Sequence, residues 1–133
     1  MITLVDSSVW IDFFNGRDSP EVLYFKDNLR REHFLLADLV LLEVLQGFRS
    51  DLEFERARNA MLKFRVVSLG GRPAALHSAQ NYRRLRAQGV AIGSAIDCLI
   101  ASFCIANDCR LLCSDRDYSY FEKHLGLNVL RPG

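Results

Sequence analysis

No stretch of this chain approaches the roughly 20 consecutive apolar residues that a membrane-spanning helix needs, so no membrane segment is expected. The opening residues are too few, and too soon strand-like, for a secretory leader, and the expected location is cytoplasmic. Charge bias is also missing: 17 Lys and Arg balance 16 Asp and Glu, for a net +1. That balance neither supports nor excludes a nucleic-acid partner, because a local basic rim can coexist with an acidic pocket. Cysteine is confined to Cys98, Cys104, Cys109 and Cys113. None forms a Cys-x-x-Cys pair and most sit among Leu, Ile, Ala and Phe, which predicts buried, reduced thiols rather than zinc ligands. His33, His77 and His124 are scattered without ligand spacing. Repeats, low-complexity segments and linkers are absent, and the length suits a single domain spanning residues 1–133.

What is present is organised around Ile2-Thr3-Leu4-Val5-Asp6-Ser7-Ser8. A short apolar strand runs into a carboxylate and two hydroxyl residues, which places Asp6 at the rim of a sheet. Ser7 or Ser8 is expected to cap the following helix over Val9–Phe14, which Asn15-Gly16 stops. Ser19-Pro20-Glu21 starts a second helix that ends near Arg30-Arg31. A strand at Phe34–Ala37 follows, then Asp38 as the cap of a helix over Leu39–Phe48, and another helix over 51–64. Val66–Leu69 reads as a strand, Pro73–Gln88 as a helix stopped by Gly89, and Ser94 opens a helix apolar nearly all round. Leu111–Cys113, a short helix at Tyr120–Leu125 and a strand at Leu127–Leu130 complete the series. Strands alternating with helices, none close enough for tight hairpins, predict an α/β fold: a mostly parallel five-stranded twisted sheet with helices on both faces. Ligands of such sheets bind beyond the carboxyl ends of the strands, where Asp6 and Asp115 fall.

Two further acids stand out because their surroundings are apolar. Glu43 is the only charge in Leu39–Leu45, and Asp97 sits within Ala95-Ile96-Asp97-Cys98-Leu99-Ile100. Unpartnered burial costs several kcal/mol or forces neutralisation. Plainer roles exist for each. Ser94-x-x-Asp97 has capping-box spacing, Glu43 can pair with an Arg, Asp6 can cap a helix, and Asp115 and Asp117 can form a turn. Taken together, Asp6, Glu43, Asp97 and Asp115 repel one another unless a cation joins them. All-oxygen donors select Mg²⁺, or Mn²⁺, over softer metals and suit metal-assisted phosphoryl chemistry.

The blocks Val5-Asp6-Ser7-Ser8-Val9-Trp10-Ile11, Leu42-Glu43-Val44-Leu45-Gln46-Gly47, Ala95–Ala101 and Leu111–Tyr118 follow one another in an order and spacing that resembles the PIN-domain ribonucleases. The likeness is specifically to the VapC-type toxins of bacterial toxin–antitoxin pairs, and covers essentially the whole chain. It implies a PIN-like domain and Mg²⁺-dependent endonucleolytic hydrolysis of RNA by an activated water. Asp6 and Asp97 would be the central metal ligands, Glu43 and Asp115 would complete the site, and Asp117 would stand in an outer shell. Ser7 fits the hydroxyl residue common after the first acid and is, with Arg116, a candidate for binding substrate, whereas Cys113-Ser114 departs from the Thr-Asn or Ser-Asn common before the fourth. The resemblance also implies a homodimer inhibited by a small cognate antitoxin, whose C-terminal segment the apolar faces of helices 9–14, 39–48 and 51–64 can receive, a use that periodicity alone does not separate from core packing.

An acidic pocket needs a basic rim to hold RNA. Arg116 is the first candidate for a phosphate contact, ahead of Arg72, Arg83, Arg84 and Arg86, which suit a solvated helix face equally well. Trp10 and Tyr118 are candidates for stacking on bases, with core packing the favoured role for Trp10. Two other functions fit parts of the pattern. A phospho-acceptor receiver domain needs an adjacent acid pair and a Lys at the end of a late strand, and the chain has neither. A PIN fold that only binds or regulates needs no full set of acids.

Overall fold

The structure, a computed structural model, describes residues 2–132. Twelve elements alternate along it: β1 (Ile2–Val5), α1 (Ser7–Phe14), α2 (Pro20–Asp27), β2 (His33–Ala37), α3 (Asp38–Leu45), α4 (Asp51–Met61), β3 (Arg65–Val67), α5 (Arg72–Ala87), α6 (Ala95–Ala106), β4 (Arg110–Leu112), α7 (Tyr118–Leu125) and β5 (Asn128–Leu130). The strands form one sheet in the order β3-β2-β1-β4-β5, and every pairing is parallel. Parallel neighbours require crossovers, and right-handed crossovers put α1–α4 on one face and α5–α7 on the other. The contacts agree: α1 packs on α2 and α3, whereas α5, α6 and α7 pack together.

Between β1 and β4 the winding reverses, since the chain moves outward one way through β2 and β3 and the other way through β5. The carboxyl ends of β1 and β4 therefore diverge into a crevice between their loops. Leu4 pairs with Leu111 and Val5 with Leu112, so Asp6 and the Cys113–Asp117 loop leave the sheet side by side.

On the first face, Trp10 of α1 is buried among Phe13, Phe14, Phe25 and Phe64, with edge-on or stacked ring contacts. Core packing is thus its role. The four cysteines are free and buried, as their apolar neighbours predict. Gly16 and Gly89 follow their helices with φ of 73° and 81°, the left-handed conformation that ends a helix at no side-chain cost.

Capping differs from expectation at two places. Asp6, not Ser7 or Ser8, is the N-cap of α1, its carboxylate accepting from the Ser8 N–H at 3.2 Å. The cap position of α3 belongs to Ala37. Asp38 is its first helical residue, and its carboxylate accepts from Leu39 N and from Leu69 N across the β3–α5 loop. Helix α7 begins at Tyr118, two residues earlier than expected, because the Cys113–Asp117 turn is short. Helices α3 and α4 end three residues sooner than their apolar patterns suggest, with Phe48 and Phe64 folding back onto the core from the loops beyond.

Candidate active site

Four acids from four places in the chain face the crevice. Asp6 lies at the end of β1, Glu43 in the middle of α3, Asp97 in the first turn of α6 and Asp115 in the loop after β4. The Asp6 backbone N–H donates to Leu112 O at 2.9 Å, which ties the β1 and β4 exits together. Its side chain is buried, 3 % exposed. Oδ2 accepts from the Ser8 hydroxyl at 2.6 Å as well as from the Ser8 N–H, and Oδ1 lies 2.9 Å from the Tyr118 hydroxyl. Burial pushes the Asp6 carboxyl up, opposed by the hydrogen bonds from Ser8 and Tyr118.

Asp97 is half-buried. Ser94 caps α6 by accepting from the Asp97 N–H at 3.4 Å, so the capping-box spacing is real. The Asp97 carboxylate has a second role: its Oδ1 lies 3.1 Å from the same Tyr118 hydroxyl. Its pKa is raised to about 6, first by burial and then by the negative charge of Asp6, with smaller contributions from Asp115 and Glu43. Glu43 is also raised, by burial and then by Asp6, while the Ser7 hydroxyl acts in the opposite sense. Its Oε1 is buried with no hydrogen-bond partner. Among the described residues none of the four acids pairs with an Arg or Lys, so the ion-pair role for Glu43 does not hold.

Asp115 is exposed. Its Oδ1 accepts from the Asp117 N–H at 2.9 Å, so it does form a turn. It also stands close to two other acids: one carboxylate oxygen each of Asp97, Asp115 and Asp117 lies within 4.8 Å of the others, a group that includes neither Asp6 nor Glu43. Asp117 occupies the position before α7 without making a side-chain cap. Arg116 is exposed at the mouth of the crevice, and Arg72, Arg83, Arg84 and Arg86 are exposed on α5.

The roles of two residues of the site escaped sequence reasoning. Tyr118 does not stack on bases, because it is 1 % exposed and its hydroxyl is directed at Asp6 and Asp97. Ser8 links three elements, since its Oγ donates to Asp6 and accepts from the Ser114 N–H at 3.1 Å. An acid followed two residues later by Ser is the local pattern of a cap, which was the available signal for Ser8. Tyr118 offered none, because its partners are distant in the chain. Ser8→Ala removes a hydrogen bond to a buried charge and leaves the Ser114 N–H unanswered. A loss of about 1.5–3 kcal/mol in metal-free unfolding free energy is expected, read by urea denaturation.

The profile of the family described as PIN domain matches residues 3–123. This chain belongs to the PIN-domain family. Among relatives, it is 28% identical to "VapC ribonuclease Mb1587" of Mycobacterium bovis over 131 residues, covering 95% of this chain and 96% of that one. The same figures hold for "Ribonuclease VapC11" of Mycobacterium tuberculosis. Solved structures of similar fold include a chain of VapBC2 from Rickettsia felis bound to a DNA fragment from its promoter, with a TM-score of 0.80 at 16% identity over 100% of both chains. FitAcB from Neisseria gonorrhoeae gives 0.77 at 22% identity, covering 99% of this chain and 98% of that one.

Proposed function

We propose that this PIN domain is a divalent-metal-dependent endoribonuclease, the toxin of a VapC-type toxin–antitoxin pair. The observation that carries the chemistry is the convergence of Asp6, Glu43, Asp97 and Asp115 with no cationic side chain among them. The donor set fits a hard cation. Its atoms are all oxygens, the carboxyl groups disfavour one another's charge, and Glu43 Oε1 is a buried acceptor without a donor. Asp6 and Asp97 would hold Mg²⁺ or Mn²⁺ centrally, with Glu43 and Asp115 completing the set and Asp117 behind Asp115. When bound, such an ion would supply Lewis acidity for hydrolysis of a phosphodiester.

The chain's own residues do the remaining work. Ser8 fixes the rotamer of Asp6 from one side. Arg116 offers a positive charge to a backbone phosphate arriving at the mouth. The relatives' names support RNA as the substrate, and the complexes among the structural neighbours support a small antitoxin as partner. A groove of about 420 Å³ runs from Glu43 past Ile11, Phe14, Val44 and Phe48 to Arg49. It would receive the antitoxin's apolar segment within reach of the acids. A homodimer and a cytoplasmic location complete the reading; among the described residues no helix is long and apolar enough to cross a membrane.

The test is direct. The purified chain should cut a mixed-sequence RNA in Mg²⁺ or Mn²⁺ and stop when EDTA is added. Cleavage that continues in EDTA, or none in either metal, overturns the proposal.

A further inference from the structure

Tyr118 opens α7, yet its ring is buried against Phe121 with centroids 6.0 Å apart. A phenylalanine would fill that space equally well, so packing explains the ring and not the hydroxyl. A phenol oxygen taken out of water costs free energy unless it is hydrogen-bonded. Here it stands between Asp6 Oδ1 at 2.9 Å and Asp97 Oδ1 at 3.1 Å. One hydrogen serves both oxygens in turn. Among the described residues no other donor reaches either Oδ1, while Asp6 Oδ2 is already occupied by Ser8. The acceptor capacity left for a cation therefore lies on Asp6 Oδ1 and on Asp97, the two carboxylates that the phenol bridges.

Resting on the metal-site reading above, we propose that the Tyr118 hydroxyl is a positioning group for the divalent cation, holding the Asp6 and Asp97 carboxylates face to face before the ion arrives. The geometry has a clear alternative for the ion-free state. Two carboxylates repel, and Asp97, half-exposed on the first turn of α6, can turn towards water. With the phenol in place both oxygens stay within bonding distance of one fixed atom. That atom is anchored by a ring the core holds rigid, so less ordering remains to be done on binding.

The experiment measures metal binding without RNA. Wild type, Tyr118→Phe and Tyr120→Phe, the last at an exposed neighbouring tyrosine, are titrated with Mn²⁺ while free ion is read by electron paramagnetic resonance. Tyr118→Phe is expected to bind Mn²⁺ about tenfold more weakly, the effect of losing one hydrogen bond to a charged group. Tyr120→Phe should match wild type, and all three should melt cooperatively in EDTA. Equal affinity in wild type and Tyr118→Phe overturns the positioning role and leaves the metal site standing. Failure of wild type itself to bind millimolar Mn²⁺ overturns both. Should Tyr118→Phe not fold, wild type labelled with 3-fluorotyrosine reads the same contact. Its buried tyrosine fluorine resonance should move as Mg²⁺ saturates the protein, and a resonance that stays in place refutes the role.

Discussion

Asp6→Ala and Asp97→Ala are each expected to reduce RNA cleavage in Mg²⁺ by at least about 10³-fold, roughly 4 kcal/mol of transition-state stabilisation. The size follows from position. The Tyr118 hydroxyl lies within hydrogen-bond distance of both carboxylates, and after burial the charge of Asp6 is the strongest influence on Asp97. Removing either leaves a cation with peripheral ligands only. Asp115→Ala, at an exposed turn, should cost less, about 10–100-fold. Asp97→Ala and Asp115→Ala should fold, because each removes a carboxylate from a like-charged cluster, whereas Asp6→Ala also removes the α1 cap and the acceptor of Ser8 and should be less stable, so it is assayed well below its melting temperature. Single-turnover cleavage of a labelled RNA, with circular dichroism as the folding control, measures all three. Asp6→Ala or Asp97→Ala protein that cuts as fast as wild type would mean that the nuclease in the preparation is another protein.

Divalent metal should stabilise this protein strongly at pH 7.5 and weakly at pH 5. Asp97 is raised from 3.8 to about 6, and Asp6 and Glu43 are raised as well. An acid whose pKa is higher folded than unfolded binds its proton better in the folded state, so folding becomes less favourable as the pH rises between the two values. For Asp97 that window runs from about pH 4 to pH 6, and the destabilisation is complete above it. Asp97 is half exposed, so solvent screens part of the effect, but Asp6 is buried and is not spared. A cation relieves the repulsion only where the carboxylates are charged. At a hundredfold excess over Kd, Mn²⁺ should contribute about 2.7 kcal/mol at pH 7.5, a rise of about 10 °C in Tm. At pH 5 protons compete, and the rise should be less than half as large. Differential scanning fluorimetry across that range checks it; a shift that grows towards low pH would contradict the carboxylate site.

Much of this was legible because its signals are local. Ile2–Val5 followed by Asp6 reads as a strand ending in an acid, and Ser94 three residues before Asp97 reads as a helix start. Glu43 was conspicuous because the residues around it are apolar. Helix ends were less legible. Phe48 and Phe64 continue the apolar pattern of α3 and α4, but they reach the core from loops, and periodicity reports burial rather than backbone conformation. Leu42 shows the opposite error: it belongs to an apolar run and is 54% exposed.

The sequence by itself determined the alternation of strands and helices and the membership in the PIN-domain family, because each depends on residue types at short spacing or in a fixed order. Only the tertiary structure decided which hydroxyls serve the acids. Ser8 reaches both Asp6 and the Ser114 N–H, and Tyr118 reaches across the crevice to Asp6 and Asp97. Those contacts join residues up to 112 positions apart. They exist because the parallel register of β1 and β4 brings two loops together at the point where the sheet changes its winding, and no local pattern encodes that distance.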